Sequence, residues 1–365
     1  MTLATIPPTQ RAYVLDHVGE GGKLTYRTDQ PVTQPKDLLP GQCLVHLTHS
    51  GVCHSDLTIK RGVLSSAGLT KRDLVGGHEG VGTVVAIGEH TRPGVKVKVG
   101  DRVGVKWIAD TCNNCAYCQT GDESFCADAK KSGHTIDGTF SEYIVSYIEH
   151  VTPIPENLDS ASATAIMCAG LTVFSALRQS DTHVGDWIVI PGAGGGLGHL
   201  AIQYAVAMGL RVIAIDTGEA KKSLALSLGA EKWIDFRAPL TGDLVDDVYA
   251  ATNGLGAHAV LVTSGENAAY AVALKYLRSR GRLICVGLPP NGLVELSTTL
   301  VAARGLTIRG VLVGNRQVAK EAIDLAAAGK VKVFYTLRGL SELERVYEEL
   351  ESGKVAGRIV LDVTK

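Results

Sequence analysis

The chain has 365 residues, 45% of them hydrophobic and 20% charged, and 36 basic residues against 37 acidic ones leave a net charge of −1. This length suggests about two domains and buries a full core without disulfide staples. The charge balance provides no basic field for nucleic acid or an anionic membrane, so neither is expected as a partner. Glycine is abundant, 42 of 365 residues, without the triplet period of collagen, which points to many tight backbone turns. The amino terminus has neither the basic segment nor the apolar core of a secretion signal. The longest uncharged stretch, Ile188 to Leu210, contains Pro191 and six glycines, whose backbone groups lipid would leave unpaired. A soluble, cytosolic protein is expected.

Between residue 11 and about 150, short β-like runs are separated by Gly, Pro and Asp, among them Cys43–Leu47, Val81–Ile87 and Arg102–Val105. This predicts a mainly antiparallel, partly closed β domain. Inside it, Cys112, Cys115, Cys118 and Cys126 form a C-x2-C-x2-C-x7-C run within fifteen residues. Short C-x2-C steps let neighbouring thiolates face one centre, and four of them complete a closed tetrahedral zinc site. An iron–sulfur cluster or a pair of disulfides are the other uses of such a run. The chain's length and lack of a secretion signal weigh against disulfides.

From about residue 170 strands alternate with helices, the sign of βαβ units and a parallel sheet. Strands are predicted at Trp187–Ile190, Arg211–Ile215, Lys232–Asp235, Ala257–Thr263, Arg282–Val286 and Thr307–Val311. Helices are predicted through about Met208, through Leu228, near Val318–Ala328 and after Ser341, with a last strand at Arg358–Val363. Ser341 and Glu344 read as an S-x-x-E capping box for the last helix.

Between the first of those strands and its helix lies Gly192-Ala193-Gly194-Gly195-Gly196-Leu197-Gly198. Glycines there let the backbone approach a dinucleotide pyrophosphate, and the first-turn amides of the helix donate to it. The literal G-x-G-x-x-G is not met, because Leu197 takes the final position counted from Gly192. Context supplies the rest: Asp216 ends the next strand, eighteen residues after Gly198. A carboxylate there accepts from the ribose 2′-hydroxyl and repels a 2′-phosphate, so NAD(H) is expected over NADP(H).

Three further residues are scattered: Cys53, His78 and Cys168, separated by 25 and 90 residues. Two cysteines and a histidine are the ligand set of a catalytic zinc with an open fourth position. Spacing alone does not assemble them. Singly, Cys168 reads as a core thiol and His78 as a hydrogen-bonded core imidazole.

These residues carry a resemblance. Ser50-Gly51-Val52-Cys53-His54-Ser55-Asp56, Val75-Gly76-Gly77-His78-Glu79-Gly80, the four-cysteine loop, Cys168-Ala169-Gly170-Leu171-Thr172, Gly195-Gly196-Leu197-Gly198, Val313-Gly314-Asn315-Arg316 and Gly357-Arg358 follow in order. In them the sequence resembles the zinc-dependent medium-chain alcohol dehydrogenases, in particular their yeast-type branch. The resemblance implies an α/β fold: a GroES-like β-rich catalytic domain from residues 1–169 and 306–365, and a Rossmann doubly wound parallel-sheet coenzyme domain from 170–305. It implies two zinc ions per subunit, one held by Cys53, His78 and Cys168 and one by the four-cysteine loop. It implies reversible hydride transfer between a primary or secondary alcohol and NAD, giving aldehyde or ketone and NADH. Asp56 would orient the ligating histidine, Glu79 would lie near the metal, and Ser55 would accept the alcohol proton. His54 and Arg358 would meet the NAD pyrophosphate, Asp216 and Lys221 the adenosine ribose, and Thr172 the nicotinamide ribose. By the same analogy the chain forms a homo-oligomer, a dimer or tetramer.

The sequence also departs from the family. Thr58 stands where many members place a relay histidine, which implies a shortened proton path and a flatter pH profile. Trp107 matches a pocket tryptophan, but Leu64 replaces a second one and Leu288 a methionine. Losing a large ring widens a cavity, so bulkier, secondary or aromatic alcohols are expected as substrates. A polyol dehydrogenase of the same superfamily and a non-catalytic zinc- and nucleotide-binding relative are the rival readings.

Overall fold

The computed structural model describes residues 5–63, 71–289, 293–353 and 355–365. Buried and less buried positions alternate from Gly82 to the end of Gly80–Ile87 and along Tyr143–Tyr147, as they do in strands with one face on a core. The sheet they join runs in the order Thr152–Pro153, Arg102–Val105, Gly80–Ile87, Gln42–Val52, Arg358–Asp362, Tyr335–Gly339, with Tyr143–Tyr147 also on Gln42–Val52. Only the pairing of Tyr335–Gly339 with Arg358–Asp362 is parallel. The carboxyl-terminal strand is therefore seated in a sheet made by the first half of the chain. Its register, Ile359 opposite Val52, places Arg358, the first residue of its strand, opposite the position of Cys53, just past the end of Gln42–Val52.

The second sheet has six parallel strands. Their order is Lys232–Asp235, Arg211–Asp216, Trp187–Pro191, Ala257–Val262, Leu277–Cys285, Thr307–Gly310. Numbered along the chain this is 3-2-1-4-5-6, the doubly wound order with its crevice where the winding reverses, beside the first strand. The central strands are continuous apolar runs, Trp187–Pro191 buried at every position, because helices cover both faces. The sixth strand lies beyond residue 305, where the coenzyme half was expected to end.

Three consecutive pieces form the helical run between the halves: α-helix Ser160–Ala165, a π-turn over Ile166–Gly170 and α-helix Leu171–Arg178. Among the described residues this run alone is long and apolar enough to cross a membrane, and 94% of its apolar window is buried inside the molecule. One core joins Trp107, Cys168, Phe174, Ile190, Leu200 and Val318, so the run packs against residues of both halves. The capping box expected at Ser341 and Glu344 forms earlier: the Gly339 N–H donates to Glu342 over 2.7 Å. A 3-10 turn, Leu340–Glu342, precedes the helix Leu343–Glu351, which lets Leu340 and Leu343 both reach the core.

Candidate active site

Cys53 is the N-cap of the short helix His54–Lys60. Asp56, in its first turn, accepts the Cys53 backbone N–H on one carboxylate oxygen over 2.9 Å and the His78 Nδ1–H on the other over 2.8 Å. With Nδ1 donating to Asp56, Nε2 faces the sulfurs, 3.3 Å from Cys168 Sγ. Cys168 reaches the same point from the π-turn, a feature that often marks functional sites in helices. The ligand atoms of Cys53, His78, Glu79 and Cys168 all lie within 4.8 Å of one another, and all four residues are buried. Burial disfavours charge on His78, yet Asp56 and Cys53 together raise its pKa well above the usual imidazole value. Cys168 hydrogen-bonds Cys53 and holds that thiol well below its ordinary value, with Cys168 raised in turn. Two sulfurs, an imidazole oriented by a carboxylate and a nearby acid fit a zinc ion.

Glu79, fully buried, has its pKa pushed up to about 7 by burial, against the pull of Arg358. Its carboxylate takes both contacts from one Arg358 nitrogen. The fit leaves no slack: a Cβ at Gly51 would come 2.1 Å from Glu79 Oε2. Arg358 in turn lies against Gly196 of the glycine-rich turn, whose Cβ would meet its Cδ at 2.9 Å.

That turn follows Trp187–Pro191 and opens the helix Gly198–Ala207. Gly192 has φ +84°, a left-handed conformation that favours glycine. A Cβ at Gly198 would stand 2.1 Å from the Gly192 carbonyl, so the helix starts directly against the strand. Asp216 accepts the Gly194 N–H over 3.0 Å and pairs with Lys221 at 3.2 Å. Asp216, Lys221 and Arg358 all adjoin the glycine turn at the helix start, and this set fits a dinucleotide. Thr172 is buried four residues after Cys168.

The sulfurs of Cys112, Cys115, Cys118 and Cys126 form a separate cluster, also within 4.8 Å of one another. Neighbouring pairs are 3.6 Å apart and every cysteine is a free thiol, so the disulfide reading fails. Backbone N–H groups of Asn114 and Cys115 point at Cys112 Sγ and lower its pKa to about 7. A small lobe with four converging thiols fits a closed zinc site. It is docked from outside: Arg316 donates to the buried Glu123, and Asn315 Nδ2 to the Gly121 carbonyl.

Comparison with known proteins decides between the readings left open. Residues 39–156 match the alcohol dehydrogenase GroES-like domain, and residues 196–328 match the zinc-binding dehydrogenase domain. Alcohol dehydrogenase 1 of Neurospora crassa is 43% identical over 361 residues, 99% of each chain. The chain belongs to the zinc-dependent medium-chain alcohol dehydrogenases. Its fold is that of the alcohol dehydrogenase from the archaeon Aeropyrum pernix, with TM-score 0.86 and 31% identity, over 96% of this chain and 99% of the other. Acetophenone reductase from Geotrichum candidum, solved in complex with NAD, gives TM-score 0.84 and 28% identity over 98% of both chains.

Within this dehydrogenase the remaining site residues fall into two groups. Ser55 Oγ lies 3.6 Å from Cys53 Sγ, beside the cluster, and Trp107 meets the His78 ring edge-on at 5.3 Å. The Trp107 Nε1 is buried without a hydrogen-bond partner among the described residues. His54 is exposed, and the Thr58 hydroxyl donates to the His54 carbonyl over 2.9 Å. Leu288 is 51% exposed on the loop after Leu277–Cys285, and Leu64 lies outside the described residues. Sequence reasoning named Glu79 and Arg358 but not their union. It missed the buried Lys106 beside Trp107, whose Nζ contacts the His150 carbonyl; a lysine between the apolar strands Arg102–Val105 and Ile108–Asp110 was the available signal.

Proposed function

We propose that this alcohol dehydrogenase interconverts alcohols and carbonyl compounds with NAD at a zinc held by Cys53, His78 and Cys168. The observation that carries the reading is the buried Glu79–Arg358 pair, which joins the sulfur–imidazole cluster to the phosphate-binding turn. A metal centre and a dinucleotide cradle that share one ion pair form one active site.

Zinc, when bound, supplies a Lewis acid for the alcohol oxygen, and NAD supplies the hydride acceptor. The chain's own groups do the rest. Asp56 keeps the proton on His78 Nδ1, so Nε2 stays a ligand. Ser55 Oγ, next to Cys53 Sγ, takes the alcohol proton. Thr58 has its hydroxyl hydrogen on the His54 carbonyl, so that proton leaves without an imidazole relay. Arg358, His54 and the start of Gly198–Ala207 receive the pyrophosphate. Asp216 and Lys221 take the adenosine ribose, and Thr172 flanks the nicotinamide ribose. The four-cysteine lobe holds a second, structural zinc.

Leu64 and Leu288 in place of larger residues, with Trp107 retained, favour a pocket that accepts branched, secondary and aromatic alcohols. Geotrichum acetophenone reductase, which by its name reduces an aryl ketone, is consistent with this breadth. We further propose the domain limits 1–169 with 306–365 and 170–305, adjusted so that Thr307–Gly310 stays with the parallel sheet. A cytoplasmic homo-oligomer with neither nucleic-acid nor membrane partners completes the proposal.

The test is initial-rate NAD reduction across ethanol, branched, secondary and benzylic alcohols, with NADP as control and before and after zinc removal. Zinc-dependent turnover with NAD, highest on the bulkier alcohols, is the expected result. No turnover in either direction refutes the function, and ethanol ranking first refutes the wide pocket.

A further inference from the structure

Helix Gly198–Ala207 has a use for two polar side chains that coenzyme binding does not touch directly. His199 and Gln203, one turn apart, are both buried and both turn toward the extended segment before Tyr335–Gly339. Gln203 takes the Lys332 N–H on its carbonyl oxygen over 2.7 Å and donates to the Lys332 carbonyl over 2.8 Å. Phe334, two residues on, donates its N–H to His199 Nε2 over 3.3 Å. The two side chains thus satisfy alternate backbone groups of Lys332 and Phe334 as a neighbouring strand would.

The other ring nitrogen of His199 points back at the phosphate-binding turn. Nδ1 lies 3.0 Å from the Gly195 carbonyl. Because Phe334 donates to Nε2, the ring proton sits on Nδ1 and is given to Gly195. Burial and then the Arg358 charge hold the imidazole pKa down at about 4, which keeps this neutral tautomer in place. The chain of contacts closes on itself: the Phe334 carbonyl accepts the Arg358 N–H over 2.8 Å, and the Gly357 N–H donates to the Gly194 carbonyl over 3.2 Å. Gly194, Gly195, His199, Phe334 and Arg358 form a ring of hydrogen bonds around the place where glycine turn and arginine meet.

We propose that His199 is a positioning residue of the coenzyme site, setting the distance between the Gly194–Gly196 turn and the Arg358 guanidinium by bonding to both of their supports at once. It touches neither substrate nor metal. Its ring adds a second donor to the Gly195 carbonyl, which also takes the His199 backbone N–H over 3.1 Å, and it anchors Phe334, which carries Arg358 through its backbone. This rests on the coenzyme reading given above.

Two variants separate the two bonds. His199→Asn keeps a side-chain donor near Gly195 and cannot reach Phe334, whereas His199→Gln reaches Phe334 and leaves Gly195 only its backbone bond to residue 199. Losing a buried hydrogen bond of this kind is expected to raise the Kd for NADH, read by fluorescence titration, about tenfold or more in each. The alcohol KM at saturating NAD is expected to stay within about twofold and both zinc ions to remain bound. A histidine that only fills the core would lower Tm and leave the NADH Kd unchanged, and that result overturns the proposal. Should the variants not fold, exchange of the wild-type peptide spanning Phe334 is measured by mass spectrometry. Slower exchange on adding NADH supports the ring, and unchanged exchange overturns it. A wild-type enzyme that binds no NADH overturns the proposed function and this role together, whereas normal wild-type binding with unaffected variants overturns the role alone.

Discussion

Asp56 grips His78 with a 2.8 Å hydrogen bond between two nearly inaccessible side chains, and its second oxygen takes the backbone of Cys53. One carboxylate therefore aligns two of the three proposed ligands. An amide has only one acceptor oxygen, so Asp56→Asn can satisfy His78 or Cys53 but not both. The variant is expected to bind the site's zinc about 10- to 100-fold more weakly. Competition with a chelator, followed by metal analysis, checks this. Retention of both metals at the wild-type level would show that Asp56 is not an orienting group.

Asp216 has both oxygens engaged, by Gly194 on one and by Lys221 and Thr217 on the other. Asp216→Ala removes the repulsion toward a 2′-phosphate and leaves Lys221 without its counter-charge. The ratio of kcat/KM with NADP to that with NAD is expected to rise by roughly 10- to 100-fold, the worth of one charge-assisted hydrogen bond. Parallel steady-state kinetics with the two coenzymes measure it; an unaltered ratio removes Asp216 from the ribose site.

With its hydroxyl turned to the His54 carbonyl, Thr58 contributes no group that titrates near neutrality. Thr58→His introduces one at the helix surface, beside Ser55. The rate of alcohol oxidation is expected to depend more steeply on pH around ~6.5, where an imidazole changes charge. The comparison is kcat against pH for both enzymes, and superimposable profiles count against a relay at this position.

His150 is buried, with Nε2 3.1 Å from the Thr111 hydroxyl, and burial, followed by the charges of Lys106 and Arg316, pushes its pKa down to about 3. The folded protein thus holds it neutral, while the unfolded chain binds a proton below ~6.5. Between those values the unfolded state carries more protons, so this contribution to stability is present above pH ~6.5 and is lost as the pH falls toward 3. His150→Gln lacks that term. Its stability deficit relative to wild type, from urea unfolding, is expected to shrink by about 1–3 kcal/mol between pH 7 and pH 4.5. A constant deficit would mean that His150 is charged in the fold.

Local order was the part of this molecule that could be read from residues. The four-cysteine lobe was legible because its ligands lie within fifteen residues, and the parallel strands because burial on both faces makes their apolar runs continuous. The strand expected at Arg282–Val286 begins earlier, at Leu277: its first half, Leu277–Arg280, carries two arginines that hide it in the sequence, and Leu277 pairs with Ala257 across a register shift. What stayed hidden depends on topology. Glu79 and Arg358 are 279 residues apart and meet only because the last strand inserts beside Gln42–Val52. His199 sits in an apolar helix, and nothing in its sequence neighbours announces Phe334. The cysteine–histidine–cysteine set became visible through family resemblance, not through spacing.

The π-turn at Ile166–Gly170 makes the metal cluster depend on a count as well as on an alphabet. Delete Ala169, and Cys168 swings by ~100° about the axis of Leu171–Arg178, the angle that one residue subtends in an α-helix. Cys53, His78 and Cys168 would all still be spelled out in such a chain, and a reader matching letters would still find a dehydrogenase. The sulfur would nevertheless point elsewhere, and the protein would carry a complete set of ligands that never meet.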